Sequence, residues 1–335
     1  MKRITLATIS KIVGVSKPVV CTVLKNNEGK GIFVGKHTRE RILETARELG
    51  YVPPKSAKEL FSGRSNNIGI IVHKLVPPFS EFVNHLQKEA DQLNFEITPY
   101  LTDGNAELEE HYLNLVRDGR IDGVIALAVT EGSIQRYRKF IKHPYNLKIL
   151  FYGEPIPEVP SIHFDERKVG KLAAQHLIET GCKRLAVFGG YNGSVRIKGF
   201  TQYLKERRFP APLVFTKEPF VNYFPEGKTL AEEFLRLKYL PDGVFACNDL
   251  LAIALLTTIL KKGVEIPKDM AILGCDNTEL CLYTIPTLTS IDTNLPALAK
   301  KAMQKMIKII EGTEVKPFHT KTPVSLVVRE STRRE

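Results

Sequence analysis

The stretch Thr5-Leu-Ala-Thr-Ile-Ser-Lys-Ile-Val-Gly14-Val-Ser16-Lys-Pro-Val-Val-Cys-Thr-Val-Leu-Lys25 decides how the start of the chain folds. Apolar residues at 6, 9, 12 and 13 keep the i, i+3, i+4 spacing of one helical face, and Thr5 stands where a cap is needed. Gly14 supplies a tight turn, Val15 points inward, and Ser16 can cap a second helix beginning at Lys17. Pro18 falls in the first turn of that helix, where a missing N–H costs little, and Val20, Val23 and Leu24 form its inward face. A third helix is expected over Thr38-Arg-Glu-Arg-Ile-Leu-Glu-Thr-Ala-Arg-Glu-Leu49, closed by Gly50, with Ile42, Leu43, Ala46 and Leu49 as its stripe. Two helices joined by a Gly-containing turn within about twenty residues have helix-turn-helix spacing.

Charge agrees with that reading. The 335-residue chain has a net charge of +11 from 48 basic and 37 acidic side chains. Residues 1–66 hold 13 of the basic and 5 of the acidic ones, a net of +8, which leaves +3 for the other 269. A compact basic module beside a nearly neutral body is the footprint of a phosphate-binding domain; a solubilising tail would lack the apolar periodicity. At 43% hydrophobic residues the chain can bury a sizeable core. Met1 to Ser10 is basic, but hydroxyls break its apolar run and Lys11 follows, so no secretory signal is read. The five scattered cysteines, Cys21, Cys182, Cys247, Cys275 and Cys281, form no CxxC pair and read as reduced thiols. A cytoplasmic bacterial protein without metal or cofactor is expected.

Thr5-Leu6, Gly14-Val-Ser16, Val23-Leu24, Thr38-Arg-Glu-Arg-Ile42 and Glu48-Leu-Gly-Tyr-Val-Pro53 together resemble the lactose/galactose-repressor family of transcription regulators. Ala57-Lys-Glu-Leu60-Phe-Ser-Gly63-Arg-Ser-Asn-Asn-Ile-Gly69 is similar to that family's hinge, and the resemblance runs over essentially the whole chain. It implies a helix from Lys17 lying in the major groove, with Lys17, Pro18 and Thr22 facing bases. Thr5, Ser16 and Lys25 join the DNA-contacting set, and Lys25, Lys30, Lys36 and Arg39 are placed to clamp phosphates. Within the hinge, Leu60, flanked by Ala57 and Lys58, matches a leucine that wedges into the minor groove; the alternative is that Leu60 and Phe61 pack the linker against the body. The chain departs from the family pattern at Cys21-Thr22, at Thr8 and in a long loop over 26–35, so a non-standard operator is expected.

From residue 67, apolar runs such as Ile68–Val72, Phe95–Ile97, Gly123–Leu127, Leu147–Phe151, Leu185–Phe188, Val214–Phe215, Gly243–Ala246 and Ala271–Leu273 alternate with amphipathic stretches. Repeated strand–helix units imply parallel sheets covered on both faces. The fold class expected is a small all-α helix-turn-helix DNA-binding domain plus an α/β, two-lobed, periplasmic-binding-protein-like (type I) sensor domain. The boundaries expected are 1–53 for the DNA-binding domain, 54–66 for the hinge and 67–335 for the effector-binding and dimerisation domain. Lobe 1 would hold about 67–164 and 295–324, and lobe 2 about 165–294 and 325–335. The resemblance implies that the chain crosses between lobes near 163–166, 292–295 and 323–326.

Ligands of such proteins sit between the lobes, at the carboxyl ends of the strands. Three motifs there look like the family's: Ser194-Val-Arg-Ile-Lys-Gly-Phe200 carries Arg196, Pro241-Asp-Gly-Val-Phe-Ala-Cys-Asn248 carries Asn248, and Ile272-Leu-Gly-Cys-Asp276 carries Asp276. A guanidinium, an amide and a carboxylate can satisfy adjacent hydroxyls of a sugar. His73, Phe79, Tyr152 and Phe164 would face them from the near lobe, with Asp249 as a helix cap. An aromatic contact is also expected near Asn222, Tyr223 and Phe224.

Catalytic readings find little support. Gly189-Gly-Tyr-Asn-Gly193 matches neither phosphate-loop pattern, and no HExxH or GxSxG motif occurs. A catalytic reading also leaves the N-terminal helices unexplained, and a solute-binding protein would fit the body but needs a signal peptide, which is not read here. The expected molecule is therefore a dimeric, ligand-responsive repressor of carbohydrate-use genes, reading a near-palindromic operator and sensing a small sugar, or a purine in its place. No terminal leucine heptad points to a tetramer.

Overall fold

The computed structural model describes residues 4–24, 33–51, 64–127, 132–190, 194–216, 223–313 and 318–334. The chain divides into two compact units, Met1–Ser65 and Asn66–Glu335.

The first unit holds helices α1 (Leu6–Val13), α2 (Lys17–Leu24) and α3 (Lys36–Glu48). Thr5 caps α1 in a capping box: its side chain accepts from the Thr8 N–H at 3.4 Å, and its own N–H donates to the Thr8 hydroxyl at 3.3 Å. Gly14 ends α1 at φ +75°, a left-handed conformation that a side chain would strain. Ile9, Val13, Val20, Val23, Val34, Ile42 and Ala46 make the core. Two expected stripe residues lie outside it: Ile12 is 54% exposed and Leu43 38% exposed. At about 100° per residue each sits a quarter turn off the face shared by its neighbours, so membership of an apolar spacing did not guarantee burial.

The second unit is built on two six-stranded sheets. The strands are β1 (Asn67–Val72), β2 (Glu96–Leu101), β3 (Gly123–Ala126), β4 (Ile149–Tyr152), β5 (Ser161–Phe164), β6 (Leu185–Phe188), β7 (Leu213–Phe215), β8 (Gly243–Ala246), β9 (Ala271–Asp276), β10 (Thr289–Asp292), β11 (His319–Thr322) and β12 (Ser325–Val327). Sheet one runs β11-β5-β4-β3-β1-β2 and sheet two β12-β10-β9-β8-β6-β7. Neighbours are parallel except for β10 and β12, which pair antiparallel. Helices α4 (Phe79–Gln92), α5 (Ala106–Arg117), α6 (Ser133–Ile141), α7 (Glu166–Glu179), α8 (Val195–Glu206), α9 (Tyr223–Phe234), α10 (Asp249–Leu260) and α11 (Leu295–Glu311) connect them. Central strands such as β3 and β8 are buried at every residue, which is why they read as unbroken apolar runs.

The chain leaves sheet one after Phe164, returns to it after Asp292, and passes to sheet two again after Thr322. Strands β5, β10 and β11 carry these passages, and none of them reads as an apolar run. In β10, Thr289 and Ser290 are buried polar residues held by hydrogen bonds to Thr332 (2.8 Å) and Asp249 (2.6 Å). The strand expected at 95–97 lies at Glu96–Leu101, where Pro99 and Tyr100 had hidden it. Among the described residues no single helix is long and apolar enough to cross a membrane, and no cluster of His, Cys, Asp and Glu could hold a metal ion.

Candidate functional site

The carboxyl ends of the strands in the second unit open onto a cavity of about 360 Å³. Phe79 enters it from the first turn of α4, Tyr152 from the end of β4 and Phe164 from the end of β5. Arg196 enters from the first turn of α8, Asn248 from the residue after the β8 bend, and Asp276 from the last position of β9. Six of the side chains expected to face an effector thus line one space. The seventh, His73, does not. β1 ends at Val72, and the imidazole lies under the β2–α5 turn, where a Cβ on Gly104 would come within 2.9 Å of it.

Arg196 organises the polar side of the cavity. Its Nε and Nη2 donate to the Glu166 carboxylate, the second at 3.3 Å, and its Nη1 donates to the Cys247 carbonyl. Asp276 lies 3.9 Å from Nη2. The guanidinium also covers the Phe164 ring at 5.2 Å from its centroid, a cation–π contact from one sheet's layer to the other's. Glycines make this packing possible. A Cβ on Gly170 of α7 would collide with the Arg196 carbonyl and come within 2.5 Å of the Phe200 amide; a Cβ on Gly199 of α8 would collide with the Arg167 carbonyl. The two helices therefore cross backbone to backbone, which brings Glu166 and Arg196 together.

Asn248 lines the cavity and is also the N-cap of α10, accepting from the Leu251 N–H at 2.8 Å. This corrects the expected capping role of Asp249. Asp249 is buried instead beneath β9 and β10, where it accepts from the Thr278 N–H (2.8 Å), the Thr278 hydroxyl (3.0 Å) and the Ser290 hydroxyl (2.6 Å). Burial raises its pKa to about 6. Gly274 must lack a side chain here, because a Cβ would come within 2.5 Å of that carboxylate. Asp276 has φ +110°, a strained value for a residue with a side chain, which costs of order 1–3 kcal/mol. Burial pushes its pKa well above the carboxylate range; Arg196 opposes the shift, and Asp249 and Glu166 add to it. Burial works against the Arg196 charge as well, but Cys275, Glu166 and Asp276 outweigh it. Burial pushes Cys247 up to about 12, so it presents a protonated thiol and no nucleophile.

Glu154, Glu166, Tyr223 and Cys247 also line the cavity and were not singled out as effector contacts from sequence. Their signal was positional: Glu154 and Glu166 follow β4 and β5 by two residues each, where side chains reach the cleft. Tyr223 was noted only as a neighbour of Asn222, which lies outside the described residues.

On the first unit, Thr5, Ser16, Lys17 and Pro18 are exposed, while Thr22 is half-buried. Lys25, Lys30, Ala57, Lys58, Leu60 and Phe61 lie outside the described residues.

Residues 174–332 match the profile of a periplasmic binding protein-like domain. The ribose operon repressor of Halalkalibacterium halodurans is 27% identical over an alignment covering 98% of each chain. The HTH-type transcriptional repressor PurR of Aliivibrio salmonicida is 26% identical over 92% of each. The lac repressor dimer bound to operator and the anti-inducer ONPF shares the fold, with a TM-score of 0.85 over 99% of both chains at 24% identity. Repressors match the chain almost end to end and the fold is that of the lac repressor, which supports the lactose/galactose-repressor family and a ligand-responsive transcription regulator rather than an enzyme.

Proposed function

We propose that the chain represses carbohydrate-use genes by binding a near-palindromic operator as a homodimer, and that a small sugar in the cleft controls this binding. The observation that carries the effector assignment is the convergence of Arg196, Asn248 and Asp276 on one cavity with Phe79, Tyr152 and Phe164. Donors and acceptors of this kind suit adjacent hydroxyls, and aromatic faces suit the apolar side of a sugar ring. On the DNA side, Lys17 and Thr22 read base edges, Pro18 supplies shape, and Thr5, Ser16 and Lys25 hold the backbone. Ala57, Lys58 and Leu60 form the hinge, with Leu60 as the minor-groove wedge. The proposed division is 1–53, 54–66 and 67–335, with the protein acting in the bacterial cytoplasm.

Ligand that closes the cleft changes the angle between the two sheets' layers and so the spacing of the paired DNA-binding units, a coupling of typically 1–3 kcal/mol. A purine effector is the second reading. It is favoured by the 26% identity to a PurR, close to the 27% to a ribose repressor, and by rings that stack on flat bases as well as on sugars. A thermal-shift screen against mono- and disaccharides, purines and sugar phosphates tests both. A specific ligand at about 100 times its Kd adds about 2.7 kcal/mol of stability. A purine hit overturns the sugar. Arg196→Ala that still responds fully to ligand overturns the cleft assignment.

A further inference from the structure

Two residues outside the cavity lining join its walls. Glu81, in the first turn of α4 over sheet one, accepts from the Glu279 N–H at 3.2 Å. Glu279 opens a single 3-10 turn, Glu279–Leu282, just beyond β9 in sheet two. Each end is fixed to a cavity residue: Phe79 stands two positions before Glu81, and Asp276 three positions before Glu279. The residues between Asp276 and Glu279 are bolted in place. The Asn277 N–H donates to the Ser290 hydroxyl at 3.0 Å, the Asn277 side chain accepts from Arg329 at 2.7 Å, and Thr278 donates twice to Asp249. Burial raises the Glu81 pKa; the Glu279 N–H opposes the rise, and the Glu279 carboxylate adds to it. A first-turn carboxylate suits any helix N-terminus, but that alone would leave Glu81 in water, away from a like charge. The N–H across the cleft holds it there.

We propose that the Glu81–Glu279 hydrogen bond is a latch that fastens the cleft shut, which makes Glu81 a positioning residue for the effector without touching it. This rests on the reading of the cavity as the effector site and adds the contact that governs access to it. When the walls part, α4 carries Glu81 away from the turn, and carboxylate and N–H both return to water. When they close on a ligand, contact with Phe79 and Asp276 sets the position of both ends of the bond, because each end moves with its neighbour in the chain. The latch acts through the walls and not through the effector's charge, so a neutral sugar and a purine close it alike. A hydrogen bond to a partly exposed carboxylate shifts the balance of open and closed forms about fivefold to tenfold.

Cys247 reports the state of the cleft without any ligand, because it lines the cavity and is 6% exposed. The full chain is labelled with N-ethylmaleimide and read cysteine by cysteine by mass spectrometry. Labelling at Cys247 should speed up about fivefold to tenfold in Glu81→Ala. Cys182, 2% exposed and away from the cavity, should label at its parent rate, which separates cleft opening from general loosening. Glu81→Gln keeps an acceptor and should restore the parent rate at Cys247. Glu279→Pro removes the N–H at the first position of the turn, after an extended Thr278, where proline fits. It should match Glu81→Ala, and the double variant should label no faster than either. Glu279→Ala keeps the N–H and should leave Cys247 protected. An unchanged Cys247 rate in Glu81→Ala, or a parallel rise at Cys182, overturns the latch. The effector-site reading is judged apart, by calorimetry with D-ribose, D-galactose, D-glucose, hypoxanthine and guanine. Binding that survives Arg196→Ala overturns that reading, whatever Cys247 does.

Discussion

The Arg196 guanidinium lies 5.2 Å from the centroid of the Phe164 ring, so a helix over one sheet is joined to a strand end of the other through a single stacked pair. The same guanidinium is tied to Glu166 and the Cys247 carbonyl in its own layer. Ligand that touches Arg196 therefore acts on the contact that spans the cleft.

Phe164→Leu keeps the strand end apolar and removes the ring face. A cation–π contact is worth about 0.5–2 kcal/mol, so ligand affinity should fall roughly twofold to thirtyfold with little loss of secondary structure. Titration calorimetry of the variant beside the parent checks this; equal affinities would show that the stacked pair plays no part in binding.

Gly170→Ala should be far more damaging than its one methyl group suggests, because its Cβ would meet the backbone of α8 and not a movable side chain. Overpacking of this kind typically costs about 1–3 kcal/mol. The expected result in urea denaturation is a loss in that range with the ligand response abolished, since Arg196 moves with the helix. Gly263→Ala is not an equivalent control, having a left-handed backbone; Lys171→Ala, on the exposed side of α7, is.

Lys305 gives a pH signature. Its ammonium is buried and donates to the Ser161 carbonyl (3.0 Å), the Phe318 carbonyl (2.9 Å) and the Thr320 hydroxyl (2.8 Å), and burial lowers its pKa from 10.5 to about 8. Between those values the unfolded chain binds a proton that the folded chain has released, so this group makes stability rise with pH through that window. Chemical denaturation from pH 7.5 to 10 should show that rise against the background of the other groups, and Lys305→Met should remove it.

Lys17→Ala should weaken operator binding by about 1–3 kcal/mol if the lysine reads a base edge, and should flatten sequence preference at one position of each half-site. Loss of affinity that is uniform across operator variants would make Lys17 a phosphate contact. A mobility-shift series at fixed salt separates the two.

Much of this was legible in the sequence for identifiable reasons. The Thr5, Gly14 and Ser16 spacing marked the first two helices because caps and left-handed turns restrict residue type strongly. Buried strands such as β8 declared themselves as apolar runs; Asn248 and Asp276 stood at or just after strand ends where a cleft must open, and Arg196 stood in a motif that looked like the family's. β10 escaped because its burial is paid in hydrogen bonds, with Thr289 and Ser290 inside the sheet. Glu166 escaped because nothing local shows that the Gly170–Gly199 crossing delivers it to Arg196. His73 misled because it follows a strand end, yet it packs under the turn at Gly104.

The two kinds of boundary in this molecule differ in what they allow to be exchanged. The first unit is one uninterrupted stretch, Met1–Ser65, so under the proposed division the DNA-reading module can be exchanged between regulators at the junction after Ser65. The two sheets of the second unit are interlaced, because β11 and α11 complete sheet one only after the chain has built most of sheet two. Neither half survives as a contiguous gene fragment. Under the proposed division the whole second unit can be exchanged as readily as the first, but the two walls of the cleft cannot be exchanged separately as single segments.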